Sequence, residues 1–181
     1  MGPLETDPTA VRSITGITDV FKDPHRAARR ILEQHRIFGL TALQVAGASS
    51  SMVVLKLTLR PWTPMAEDQY PVEQATLVLL SDGRIFALPD DARRQWRHRM
   101  PAGLRELCLW YVDDRADLQW SWTNGLEALI TIVHRHLMAE EYNRRHHRWP
   151  FEEAPHGPGP HHETASELRA TAASSAPSPS T

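Results

Sequence analysis

The sequence predicts an α+β fold: an N-terminal helix, an antiparallel four-stranded meander, an irregular loop and a long C-terminal helix, in that order. Three observations predict it. Apolar residues recur at helical spacing after Asp23-Pro24, alternating and β-rich segments fill the stretch from residue 40 to 88, and a second helical stripe follows Asn124.

Taken in order, residues 1 to 22 carry Pro3, Pro8, Gly16 and scattered Ser and Thr without a sustained period, and read as a flexible N-terminal arm. Asp23 supplies a cap and Pro24 a first-turn proline. Ala28, Ile31, Leu32 and His35 then keep helical spacing up to Gly39, which predicts a helix of about four turns. A short strand is expected around Leu40 to Val45. In "SMVVLKLTLR", Val53, Leu55, Leu57 and Leu59 alternate with Val54, Lys56, Thr58 and Arg60, the period of a half-buried strand. "QATLVLL" and "RIFAL", joined through Asp82-Gly83, complete the meander as a hairpin. After a basic, irregular stretch from 89 to 106, "LCLWY" reads as extended. Asn124 then caps a helix to about Arg145, with Leu126, Leu129, Ile130, Val133 and Leu137 as its apolar stripe. Residues 158–181, rich in Pro, Ser, Ala and Thr, bury too little to offset ordering entropy and are expected to be disordered.

Composition narrows the function classes. The 181 residues, 41% hydrophobic and 23% charged, suit one domain with disordered ends. A formal net charge of -2 supplies no global field toward nucleic acid or anionic lipid. No apolar run reaches membrane-spanning length, and the N-terminus lacks the basic-then-apolar order of a signal peptide, so a cytoplasmic location is expected. A single cysteine fits a reducing compartment and excludes an internal disulfide. No cofactor is implied. Metal binding is not expected either: His134 and His136 stand two apart on a helix and so on different faces, and His146-His147 and His161-His162 are no better spaced.

The lone thiol, Cys108, is therefore the residue to explain. Arg93, Arg94, Arg97, Arg99 and Arg105, with His98 and no acidic residue between them, precede it, and cationic neighbours favour the nucleophilic thiolate. The competing reading is a small core residue between Leu107 and Leu109, since free cysteine is among the most buried residue types. Local chemistry leaves both open. Trp120, Trp122 and Trp149 are expected in packing, and Tyr70-Pro71 as a turn.

Motif order adds to this. Tyr70-Pro71, then His98-Arg99-Met100, then Cys108-Leu109 ten residues after the histidine, then "QWSW" and a long helix resemble the ubiquitin-conjugating enzymes, which carry a ubiquitin-like protein as a cysteine thioester. "LCLWY", "HLMAEEY" and "RWPFEEAPHG" resemble the divergent bacterial branch that accompanies CBASS anti-phage systems and related ubiquitin-like operons. The resemblance covers roughly residues 24 to 157; residues 23–157 are then the conjugating domain.

The resemblance implies a ubiquitin-conjugating (UBC-like) fold. It makes Cys108 the nucleophile, His98 a support for the active-site loop, and His156 a second histidine that accepts a proton from the attacking amine if its segment folds back. It also implies a partner presenting a C-terminus, either a ubiquitin-like modifier or a nucleotidyltransferase, with activation either supplied by an activating enzyme in trans or bypassed. Two features depart from the pattern: Met100 stands where the family has an asparagine that helps hold the oxyanion, and Trp122 replaces a proline. Asp113 and Asp114 are placed to orient an incoming lysine or to be plain solvated acids. Two other classes stand beside this one. One is a binding module of the same fold that uses no cysteine. The other is a nucleic-acid surface built from the arginines with Trp96 and Trp110.

Overall fold

A computed structural model of the chain describes residues 15–34, 37–61, 70–91, 94–100, 106–110 and 119–151. The architecture is α+β. Helices α1 (Ile17–Lys22) and α2 (Pro24–Glu33) lead into strands β1 (Leu40–Ala48), β2 (Met52–Leu59), β3 (Glu73–Leu80) and β4 (Ile85–Pro89), and helix α3 (Gly125–His146) follows. The four strands pair antiparallel in sequence order, so β1 and β4 are the edges.

The start of the fold differs from expectation. Residues 17–22, assigned to the flexible arm, form α1 and bury Ile17 and Val20. Thr15 ahead of it is also buried: its N–H and hydroxyl both donate to the Glu127 carboxylate at 2.7–3.0 Å, tying the chain to the first turn of α3. Helix α2 does begin at Asp23, whose carboxylate accepts from the Arg26 N–H at 2.9 Å with Pro24 in the first turn. It ends at Glu33, under three turns rather than four, and His35 lies outside the described residues.

Strand β1 runs to Ala48, longer than expected, with register shifts at Leu40/Ala42 and Val45/Gly47. The alternation in β2 holds: Val53, Leu55, Leu57 and Leu59 are each 1% exposed or less. They join Ala75, Leu77, Leu79 and Ala87 from the neighbouring strands, Ile17, Val20 and Ile31 from the N-terminal helices, and the α3 stripe in one core cluster.

Gly39 stops no helix. It has φ +79° in the turn before β1, and its carbonyl accepts the Arg60 N–H at 2.8 Å. A β-carbon there would fall on the Arg60 carbonyl oxygen and 2.9 Å from His134 Nε2. Gly39→Ala is expected to cost about 2 kcal/mol in urea unfolding, because strained backbone and a backbone clash add; an unchanged midpoint would contradict this.

The entry to α3 is also built differently. Asn124 holds the cap position but does not cap α3 with its side chain; its Oδ1 accepts the Ser121 N–H at 2.7 Å and closes a 3₁₀ turn over Trp122–Asn124. Trp120 is buried with its indole N–H on the Gly125 carbonyl at 2.9 Å, and Trp122 stacks on Phe21. No helix among the described residues is long and apolar enough to cross a membrane.

Candidate functional site

The site is a short two-stranded ribbon laid between the open edge of β4 and α3. The ten-residue step from His98 to Cys108 closes it. The Cys108 N–H donates to the His98 carbonyl at 3.0 Å, the Met100 N–H donates to the Glu106 carbonyl at 2.9 Å, and Arg99 pairs antiparallel with Leu107. Cys108 therefore stands opposite His98 in register. "LCLWY" contributes one bridge residue, Leu107, and no strand among the described residues. Leu107 fixes the ribbon: its side chain is 3% exposed within the core, and its N–H donates to the Ala87 carbonyl of β4 at 2.8 Å.

The other side of the ribbon hangs on Glu140 of α3, a fully buried carboxylate. Its Oε1 accepts the His98 N–H at 2.7 Å and its Oε2 the Arg97 N–H at 2.9 Å. Burial works against its ionisation, but the neighbouring His136 ring and the His98 and Arg97 N–H groups outweigh this and hold its pKa below the ordinary glutamate value. His136 Nε2 lies 3.6 Å from Glu140 Oε1, too far for a good hydrogen bond, so its contribution is electrostatic.

His98 is buried and its ring packs on Trp149, with centroids 4.1 Å apart; His136 meets both rings edge-on or nearly so. Trp149 reaches this place because α3 ends at His147 in the left-handed conformation, φ 55°, which reverses the chain. The reversed segment runs back along α3 as far as Phe151, whose ring lies under the Arg135 guanidinium at 4.1 Å. His156, five residues on, lies outside the described residues, as do Arg93, Arg105, Asp113 and Asp114.

Cys108 is half-buried, and its thiol donates to the Trp110 carbonyl at 3.6 Å. The arginines before it are less available to a thiolate than their local run implies. Arg94 is ion-paired with Glu73, a buried carboxylate at the start of β3, which Arg144 also reaches at 3.2 Å. Burial raises the Glu73 pKa above the usual value despite these two cations. Arg144 also bonds Glu141 at 2.8 Å and lies over the Trp96 ring at 5.1 Å. The fold thus carries carboxylates from β3 and α3 into a segment that has none of its own.

Met100 is 43% exposed and its N–H is already used within the ribbon, so neither its side chain nor its backbone nitrogen is left to hold an oxyanion. The N–H groups of Arg97, His98, Leu107 and Cys108 are likewise engaged. Tyr70 is buried, with Arg145 over its ring at 4.7 Å. Among the described residues, no group of three or more His, Cys, Asp or Glu could hold a metal ion.

Glu140 escaped the sequence reading and His136 was weighed there only as a metal ligand, yet both continue the α3 stripe: 129, 133, 136, 140 is the same helical face carried two turns further. A charged residue on an apolar face was the available signal. Neither a protein-family model nor a curated protein sequence matches the chain.

Proposed function

We propose that the chain is an acyl carrier of the ubiquitin-conjugating kind, working through Cys108 in bacterial anti-phage defence. The Cys108 thiolate attacks the carbonyl carbon of a protein C-terminus already activated, as an acyl adenylate or thioester, by a partner enzyme. A C–S bond forms and the adenylate or partner thiol leaves. An amine on a target then attacks the same carbon, a C–N bond forms, and the Cys108 sulfur departs as thiolate while the amine proton passes to a base. The modifier is ubiquitin-like or the C-terminus of a nucleotidyltransferase. His98 acts as a positioning residue, through its backbone and its packing on Trp149.

The observation that carries this reading is the ribbon: the lone thiol is half-exposed opposite His98, on a loop pinned to β4 and to α3. The helix, four-stranded antiparallel sheet and helix fit the same scaffold. The test is to incubate the protein with a modifier and its activating enzyme, or with lysate of its source cells supplied with ATP. A Cys108-linked adduct cleaved by thiol reductant is expected, turning into a reductant-stable ester with Cys108→Ser.

A second reading, a binding module that performs no transfer, is favoured by one specific finding. The backbone N–H groups of residues 97, 98, 100, 107 and 108, on both sides of the ribbon, are spent inside the fold, and the Met100 side chain offers no replacement donor. Losing one oxyanion donor costs about a hundredfold to a thousandfold in rate. Binding of a modifier that is equally tight with Cys108→Ala, without any adduct in the wild type, would establish this reading.

A further inference from the structure

We infer that the chain withholds its own amines from Cys108: arginine stands wherever the site needs a cation, so the acyl group that Cys108 carries passes to an amine of a partner and not to the carrier itself. This deepens the acyl-carrier reading and rests on it. Of the 20 lysines and arginines in the sequence, two are lysine, Lys22 and Lys56, although lysine is among the commonest residues of globular chains. No lysine follows Lys56, so β3, β4, the ribbon and α3 contain none.

The two cations are not equivalent beside a thioester. A lysine amine that has lost its proton attacks the carbonyl carbon, whereas guanidinium keeps its proton in proteins and offers no lone pair. Charge pairing does not demand arginine here. Glu73 pairs with Arg94 and Arg144, and Glu141 with Arg144 and Arg145, and attraction between opposite charges is equally open to an ammonium group.

Both lysines lie away from the thiol. Lys56 is exposed between buried Leu55 and Leu57 on β2; it pairs with Thr76 of β3, which pairs with Leu88 of β4, and the ribbon lies beyond β4 through the bond from the Leu107 N–H to the Ala87 carbonyl. Three strand spacings, about 14 Å, therefore separate the Lys56 backbone from the ribbon, beyond the span of a lysine side chain. Lys22 ends α1, and α2, which follows it directly, packs on β1, the edge of the sheet opposite the ribbon. The fold nevertheless has positions from which an amine would reach. Arg99 pairs with Leu107, which sets His98 opposite Cys108 and Met100 opposite Glu106. Met100 is thus the diagonal neighbour of Cys108 on one face of the ribbon, about 7–8 Å away and within reach of a long side chain. It is exposed, and methionine carries no nucleophilic amine.

The test loads the full chain with a fluorescein-labelled diglycine thioester of mercaptoethanesulfonate, which passes its acyl group to Cys108 by thiol exchange and releases mercaptoethanesulfonate. After removal of the excess probe, the wild type, Met100→Lys, Met100→Arg and Arg29→Lys are followed in dilute, mildly alkaline solution for loss of the reductant-cleavable label, and lysine-linked label is mapped by mass spectrometry. Met100→Lys is expected to lose its thioester about tenfold faster than the other three as the label moves to the introduced lysine: a C–N bond forms, the Cys108 sulfur leaves as thiolate and the amine proton passes to buffer. Met100→Arg adds the same charge without a nucleophile, and Arg29→Lys adds a lysine on the exposed side of α2, away from the ribbon. Should Met100→Lys lose stability, Arg97→Lys places an amine at an exposed position of the same ribbon and is expected to behave likewise. Label on Lys22 or Lys56 of the wild type, or thioesters of Met100→Lys and Arg97→Lys as long-lived as that of Met100→Arg, would overturn the inference and leave the acyl-carrier reading standing. A Cys108 that takes up no label in any form would sink both.

Discussion

Replacing Glu140 with alanine is expected to lower the free energy of unfolding by about 3 kcal/mol, because two backbone N–H donors lose a charged acceptor inside the core. The cost is that of stranded donors: unlike an exposed ion pair, this carboxylate exchanges its bonds with no nearby water. His136 beside it would also lose its electrostatic neighbour. Glu140→Gln keeps the shape and one acceptor oxygen and is expected to cost roughly half as much. Urea unfolding followed by tryptophan fluorescence reads both, and a loss below about 1 kcal/mol for Glu140→Ala would show that the ribbon does not hang on this residue.

The same carboxylate sets a pH dependence. Its pKa is lowered by folding, so the stability it contributes is complete above the unfolded glutamate value of about 4.3 and is lost as pH falls through the lower folded value. Glu141, lowered in spite of its partial burial by hydrogen bonds from Arg145 and Arg144, acts with the same sign. Glu73 acts oppositely: burial raises its pKa, so protonation there becomes less unfavourable to the folded state. Between about pH 5 and pH 3 the wild type is therefore expected to lose more stability than Glu140→Gln does. Parallel curves would contradict the assignment.

The strands were legible because their signal is local. A period of two over residues 53–60 decides which face is buried without reference to the rest of the chain, and Asp82-Gly83 marks the hairpin by its backbone freedom alone: Gly83 has φ +98°. Helix α1 was missed for the converse reason. Six residues give less than two turns of period, and what holds them is distant: Ile17 and Val20 fill the core, and Thr15 is tied to Glu127 across more than a hundred residues of sequence. Helix α2 was drawn too long because His35 continues the spacing and Gly39 resembles a helix stop. Its positive φ serves a close approach to Arg60 instead.

The site was half legible. The interval from His98 to Cys108 marks two positions, and the hydrogen bond between their backbones gives that interval its physical meaning. What the interval could not carry is the environment. Glu73, Glu140 and Glu141 lie 20 or more residues away from the arginine run in sequence, so a segment that reads as uncompensated positive charge is laced with carboxylates once folded. The electrostatic case for an activated thiol therefore weakens, and the geometric case carries the proposal.

Cys108→Ala is expected to abolish conjugation altogether while leaving the fold intact. The thiol's hydrogen bond to the Trp110 carbonyl is long and weak, and a half-buried cysteine replaced by alanine loses little packing, so about 1 kcal/mol of stability is expected to be at stake. Cys108→Ser retains a nucleophile of the wrong kind: its alkoxide is scarcely formed at neutral pH, and any ester it makes resists aminolysis far more than a thioester does. The three forms thus separate chemistry from structure: wild type turns over, serine traps, and alanine does neither, with similar melting temperatures throughout.

The most direct test is mass spectrometry of cells that produce the wild-type protein or Cys108→Ala at equal levels, searching for lysines or other amines joined to a foreign protein C-terminus. The acyl-carrier account predicts conjugates that appear with the wild type and vanish with Cys108→Ala. The same conjugates at the same abundance in both would contradict it.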